Sequence, residues 1–291
     1  MGKPRRSRSG SAICQHGKGF VLLSESGAMS PPPARLFAPD QVEIVDLDSW
    51  FTHAPPEGLK DQWKDGYSAK EQANAWLRPG APAVPDELWS AIAKLVRHEV
   101  DEVYGRPEHR TKLDDHPKSR QHDMFACARN NGTTVLVAGI EAKACENFDG
   151  IVKDRAESDA PSKRRARCNL LAQALFGREV FDEETGDILD ERLGLHGYQL
   201  WTAAVGTIIE AQQRGVDDAA VVVQQFVPRD LTAGFPTGDR RKWSSTLAAH
   251  TAAFDVFAAA IKESGSASHA TEFVKAGTRL HLVTIESVIG D

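Results

Sequence analysis

The sequence predicts a layered α/β fold. Two apolar runs, 122–129 and 134–144, are joined by Asn130-Asn131-Gly132, a strong hairpin signal. A helix with a broad apolar face over 198–214 then leads through Gly215 into a buried strand over 219–227. The order helix, strand, strand, helix, strand suits a sheet with helices layered on it.

The chain has 291 residues, 41% hydrophobic and 26% charged, enough to bury a sizeable core. No apolar run reaches the ~18–20 residues of a membrane span; Trp201 to Ile209 is half that length and reads as a buried helix. Cys14, Cys127, Cys145 and Cys168 form no C-x-x-C pair and no zinc-finger pattern. The basic start at Lys3, Arg5, Arg6 and Arg8 is not followed by the apolar segment of a signal peptide. A cytoplasmic protein with reduced thiols and no membrane partner is expected.

The net charge of −6 is unevenly spread. Residues 1–38 carry six Lys or Arg and one acid, whereas the remainder carries 29 against 40. With Pro31, Pro32 and Pro33 in a row, 1–38 reads as a disordered basic tail. Residues 39–291 read as a single domain with additions at both ends. Its acidic balance weighs against nucleic-acid binding, which needs a basic surface.

Along that domain, Ser68 and Glu71 have capping-box spacing and open a helix from Ala69 to Leu77. A longer helix is expected from Asp86 to Tyr104, closed by Gly105, with Leu88, Ile92, Leu95, Val96 and Val103 at helical spacing. Glu99 falls within that stripe, where a carboxylate must be neutralised, paired or bound to a metal. The segment 110–120 gives a weak strand signal. A short helix around Cys168 to Phe176 follows the hairpin, then the helix and strand over 198–227. A helix from Ser244 to Lys262 and a strand from Thr278 to Glu286 finish the chain.

Chemistry concentrates at the hairpin. Glu141-Ala142-Lys143 ends a buried strand, and alternation puts Glu141 and Lys143 on one face. An acid and a lysine there make sense if the acid binds a divalent cation and the lysine orients water. Asp123 opens the preceding strand. A two-residue Asn131-Gly132 loop would pair it with Ile140, facing away from Glu141. A three-residue loop pairing Arg129 with Thr133 would set Asp123 opposite Gly139, on the face of Glu141. The three-residue loop is predicted.

The pattern D-(x)17-E-x-K over a hairpin, preceded by a helix and followed by a helix and strand, resembles the PD-(D/E)XK nuclease superfamily. A looser likeness to an uncharacterised bacterial branch of it rests on Gln62-Trp63-Lys64-Asp65-Gly66 with Ser68-Ala69-Lys70-Glu71. Tyr198-Gln199-Leu200 with Gly206-Thr207-Ile208-Ile209-Glu210-Ala211 adds to it. The superfamily's proline before the Asp is replaced by His122. The resemblance implies a restriction-endonuclease-like core, a mixed central sheet flanked by helices, and magnesium-dependent cleavage of DNA, with manganese as a substitute ion. It places Asp123 and Glu141 as metal ligands and Lys143 as the catalytic lysine, with Glu99 as a further acid from the first core helix. A homodimer is left open.

Lesser candidates are double-edged. Lys163, Arg164, Arg165 and Arg167 are either a phosphate grip or a solvated loop. His122 is either a substrate contact or a hydrogen-bonded structural histidine. Gln199 could line the cleft, and Trp63 reads as packing. Two other functions remain: a catalytically silent binding or assembly module of the same fold, and a hydrolase or lyase acting on a small phosphorylated substrate.

Overall fold

A computed structural model of the chain describes residues 30–57, 61–78, 81–148, 150–158, 160–229 and 240–289. In chain order these form β1 (Ala34–Phe37), β2 (Glu43–Ile44), α1 (Leu47–His53), α2 (Ser68–Trp76), β3 (Leu77–Arg78), β4 (Ala81–Pro82) and α3 (Asp86–Ile92). There follow β5 (Glu102–Thr111), β6 (Arg120–Asn130), β7 (Thr133–Lys143), α4 (Val152–Ala156), α5 (Pro161–Phe176) and α6 (Glu191–Gly194). The last elements are α7 (Tyr198–Gln213), β8 (Asp218–Pro228), α8 (Arg240–Glu263) and β9 (Arg279–Ile289).

Seven strands make one mixed sheet in the order β2-β1-β5-β6-β7-β8-β9. β5, β6 and β7 are antiparallel neighbours, whereas β7–β8, β8–β9 and β1–β5 are parallel. Helices cover both faces. On one, α7 lies over the central strands with α5 beside it, burying Leu200, Trp201, Ile208, Leu171 and Phe176 against Val137, Val221 and Phe125. On the other, Trp50, Trp76, Leu88 and Ile92 of α1, α2 and α3 cover Met124, Leu136, Ile140 and Val222. Burial from both sides explains the continuous apolar runs of β7 and β8. Among the described residues, no helix is long and apolar enough to cross a membrane.

The helix expected from Asp86 to Tyr104 stops at Ile92, and Glu102–Thr111 is a strand. Val103, Gly105 and Pro107 are buried while Glu102, Tyr104 and Arg106 are less so, the two-residue period of a strand. Nine register pairs with β6 hold β5 in the sheet. Gly105 is therefore no helix stop. A Cβ there would lie 2.6 Å from the Leu36 side chain, so the glycine lets β1 approach β5. Ala34–Phe37 of that β1 falls inside the stretch read as a disordered tail, since parallel pairing with Val103–Gly105 orders it. Residues 1–29 lie outside the described residues.

The hairpin differs from expectation in an informative way. Asn130 faces Thr133, so the loop is the two-residue Asn131-Gly132, not the three-residue loop. Both turn residues have positive φ, 50° and 77°, as a type I′ turn requires. The register then shifts by one residue: Arg129 faces Thr134, but Ala128 faces Leu136. That bulge, not a longer loop, sets Phe125 opposite Gly139 and Met124 opposite Ile140. Continued one step further, the register brings Asp123 level with Glu141.

Close packing of α7 on β7 needs Gly139. A Cβ there would meet Thr207 Oγ1 at 2.1 Å and His122 Nδ1 at 3.0 Å. Thr207 cannot easily yield, because it is buried and its hydroxyl donates to Ala203 O at 2.7 Å. Gly139→Ala should lower stability by about 1–3 kcal/mol, measured by denaturant unfolding. An unchanged midpoint would contradict this packing.

Candidate functional site

Asp123 ends the regular pairing of β6 with β7. The ladder reaches Met124–Ile140, and beyond it the Asp123 carboxylate accepts the N–H of Ala142 at 2.8 Å. A side chain thus stands in for the next backbone acceptor, and the strands part. Simple alternation from Phe125 would turn His122 away from α7. Instead His122 lies between Gly139 and Gly206, where Cβ atoms would meet its ring at 3.0 and 2.9 Å. On β5, Glu108 marks the same break with φ of 54°, flanked by the pairs Pro107–Met124 and His109–His122. A left-handed non-glycine residue within a strand is strained.

A cleft of about 330 Å³ opens at this end of the sheet, between the α1–α2 segment and the first turn of α7. Asp123, Lys143, Arg120, Glu108, Gln199 and Gln72 are among its lining residues. Its walls are polar and carry both signs of charge. Asp123 and Lys143, two of the residues singled out in the sequence, thus line one cleft, and Gln199 lines it with them.

Glu141 is different. It is fully buried and does not line the cleft. One carboxylate oxygen is ion-paired with Arg120, and the other accepts from Gln199 Nε2 at 2.7 Å. Arg120 and Gln199 thus form a layer between Glu141 and the cleft. Lys143, buried as well, holds its Nζ 5.4 Å from the centre of the Phe148 ring.

Glu99 is not brought to the site. It is exposed and precedes Asp101, whose N–H bonds Arg129 O at 2.9 Å beside the hairpin turn. From Thr134, which faces Arg129, to Glu141 is about 23 Å of strand. Exposed Glu57 lines the cleft, and so does Glu108, which is absent from the sequence-derived constellation. Pro107 before it, in a segment of strand-like alternation, is the signal that could have found it.

Glu108 is half-buried and takes a short hydrogen bond from Gln121 Nε2. Burial raises its carboxyl and the charge of Asp123 raises it further, to about 8, against the opposing pull of Gln121 and Arg110. Exposed Glu57 adds a small push in the same direction.

His122, Trp63 and the basic run are not among the residues that line the cleft. His122 is fully buried, and neither ring nitrogen has a hydrogen-bond partner among the described residues. Burial first, then the charge of Arg120, holds it neutral. Trp63 packs 5.3 Å from Phe51. The basic run opens α5 and is not in the cleft lining: Arg165 pairs with Glu157 at 2.8 Å and buried Arg167 with Asp114 at 3.2 Å. Ser68 is the first residue of α2 and not its cap, while Glu71 accepts the N–H of Gly66 at 2.6 Å. The Gln62–Gly66 motif is thereby tied to α2, with Lys70 on Asp65 at 2.7 Å.

The second motif, Tyr198–Ala211, anchors α7. Glu210 accepts from Thr111 at 2.6 Å and bonds His109 at 2.9 Å, with Arg214 also against it. Burial pushes its carboxyl up, but these partners outweigh burial and hold it at about 2. Among the described residues, no group of three or more His, Cys, Asp or Glu is gathered as a metal site.

The Glu108 shift has a defined pH consequence. Between the unfolded carboxyl value of about 4.3 and the folded value of about 8, the folded chain keeps a proton that the unfolded chain releases. Stability from this group therefore falls as pH rises through that window. Glu210 acts only below about 4. Buried His122, His196 and His250, all lowered, act oppositely below about 6.5. The expected outcome is a melting-temperature gain of Glu108→Gln over wild type that grows from pH 5 to pH 8 in metal-free buffer. A gain independent of pH would contradict it.

No curated protein and no solved structure matches the chain. A family model does match residues 43–288, which runs from β2 into β9 and takes in both helical layers and every strand of the sheet except β1. By that match the chain belongs to the family described as Domain of unknown function (DUF6946).

Proposed function

We propose that this chain is a magnesium-dependent phosphodiesterase that cleaves DNA, on a restriction-endonuclease-like core, with manganese able to replace magnesium. One observation carries the reading. The Asp123 carboxylate binds the backbone of Ala142, the middle residue of Glu141-Ala142-Lys143, at the mouth of a polar cleft. The D-(x)17-E-x-K resemblance supports the same assignment. An open polar cleft suits an extended, hydrated substrate better than an enclosed apolar pocket would.

The residues fit such an ion in its hydrated mode. Magnesium commonly keeps several waters and takes one or two carboxylates plus substrate phosphate oxygens. Asp123 has one oxygen committed to Ala142 and a side chain that is only half-buried. Glu141 would join only where Arg120 releases it. When bound, the ion supplies charge neutralisation at the phosphate and a more acidic water. Lys143 lines the cleft from a buried stem, and its ammonium would orient the attacking water. Arg120, also lining the cleft, donates to the phosphate oxygens on which charge develops. Gln199 holds Glu141 in place from the first turn of α7.

A second reading has its own support. Glu141 has both oxygens occupied, and a carboxylate so satisfied suits a catalytically silent binding module. Glu141→Ala would not separate the two, since stranding a buried Arg120 costs about 3–5 kcal/mol. Lys143→Met keeps the volume of the stem. In magnesium the wild-type chain should nick supercoiled plasmid, a chelator should stop it, and Lys143→Met should slow it about 10²–10⁴-fold with unchanged metal-free melting. Equal cleavage by the variant would remove Lys143 from the reaction. No nicking by the wild type in either cation would leave the silent module standing.

A further inference from the structure

We infer that Glu108 and Asp123 together form the cation site of the cleft, with Glu141 serving instead as the fixed counter-ion of Arg120. The assignment rests on the phosphodiesterase reading for its purpose, but not for its geometry. Glu108 and Asp123 stand opposite one another at the one position where the pairing of β5 with β6 is interrupted, and both line the cleft. The strained backbone at Glu108, φ 54°, sits at this break. Glu141, by contrast, has Arg120 and Gln199 on its two oxygens and no surface on the cleft.

Two acids alone do not make a site. The independent observation is Gln72 of α2, which is 1% exposed and lines the same cleft. Its Nε2 donates to Gln224 at 3.1 Å, which fixes the amide, while its Oε1 has no hydrogen-bond partner among the described residues. A buried acceptor without a donor costs about 1–3 kcal/mol. A hydrated divalent cation would supply the missing donor. Two carboxylates would hold the ion, and a water on it would donate to Gln72 Oε1. Such a two-carboxylate, water-rich shell is the mode magnesium favours, and it needs no gathered set of three acids.

The test is manganese binding to the full chain without DNA, followed by titration calorimetry and by the paramagnetic signal of free ion. Wild type should take up one manganese ion. Glu108→Gln and Asp123→Asn should each weaken binding about tenfold or more, whereas Glu99→Gln, at an exposed residue remote from the cleft, should not. Metal-free melting of both amide variants at or above wild type would show that the fold is kept. If Glu108→Gln binds like wild type while Asp123→Asn does not, the inference is overturned and a site at Asp123 and Glu141 stands. If the wild type binds no manganese at millimolar concentration, the inference is overturned outright. Binding that depends on Glu108 without plasmid nicking would uphold the site and sink the nuclease reading.

Discussion

The hydrogen bond from the Ala142 N–H to the Asp123 carboxylate is the constraint on which the site depends. It occurs where a backbone carbonyl would otherwise continue the β6–β7 ladder. Taking over that position ends the sheet pairing and ties an acid of one strand to the centre of Glu141-Ala142-Lys143. The one-residue shift between Ala128 and Arg129 makes it reachable. Without the bulge, the Asn131-Gly132 turn would leave Asp123 level with Ile140. A turn chosen for strand twist and a bulge chosen for register therefore act together, several residues from the chemistry.

The second constraint is electrostatic. Glu141 is fully buried on an apolar strand and is compensated by Arg120 and Gln199. A buried carboxylate must be matched in this way, or it protonates. The match uses the start of β6 and the first turn of α7, so both are fixed relative to β7. Farther along α7, Glu210 binds His109 and Thr111 of β5. Gly139 and Gly206 admit His122 between sheet and helix. One helix is thus pinned at both ends by acids and seated in the middle by glycines. This accounts physically for a motif, Tyr198–Ala211, whose residues carry no evident reaction.

Much of this was legible in the sequence, for reasons that differ by element. The strands β6, β7 and β8 announce themselves through uninterrupted apolar runs, and the hairpin through Asn-Gly. Glu141 and Lys143 stand out because an acid and a lysine at the end of such a run are out of place for stability, and Asp123 through its spacing from them. Arg120 was not visible, since its partner Glu141 is remote in sequence, and Glu108 left only the indirect trace of Pro107 before it. The segment from Glu99 to Thr111 misled because Val103 fits helical and strand spacing alike; pairing with β6 decides it, and pairing is a tertiary property. Pro107 and Gly105 were the local clues against a helix. The loop length failed for a narrower reason. Periodicity demanded one residue of shift, and a bulge supplied it after the turn and not within it.

Anomalous diffraction from crystals of the full chain soaked in manganese would locate the ion in the cleft or outside it. One strong peak is expected in the cleft, bound by the carboxylates of Asp123 and Glu108, with Arg120 still paired to Glu141. A peak elsewhere on the molecule, or a cleft that stays without one at saturating ion, would contradict that assignment.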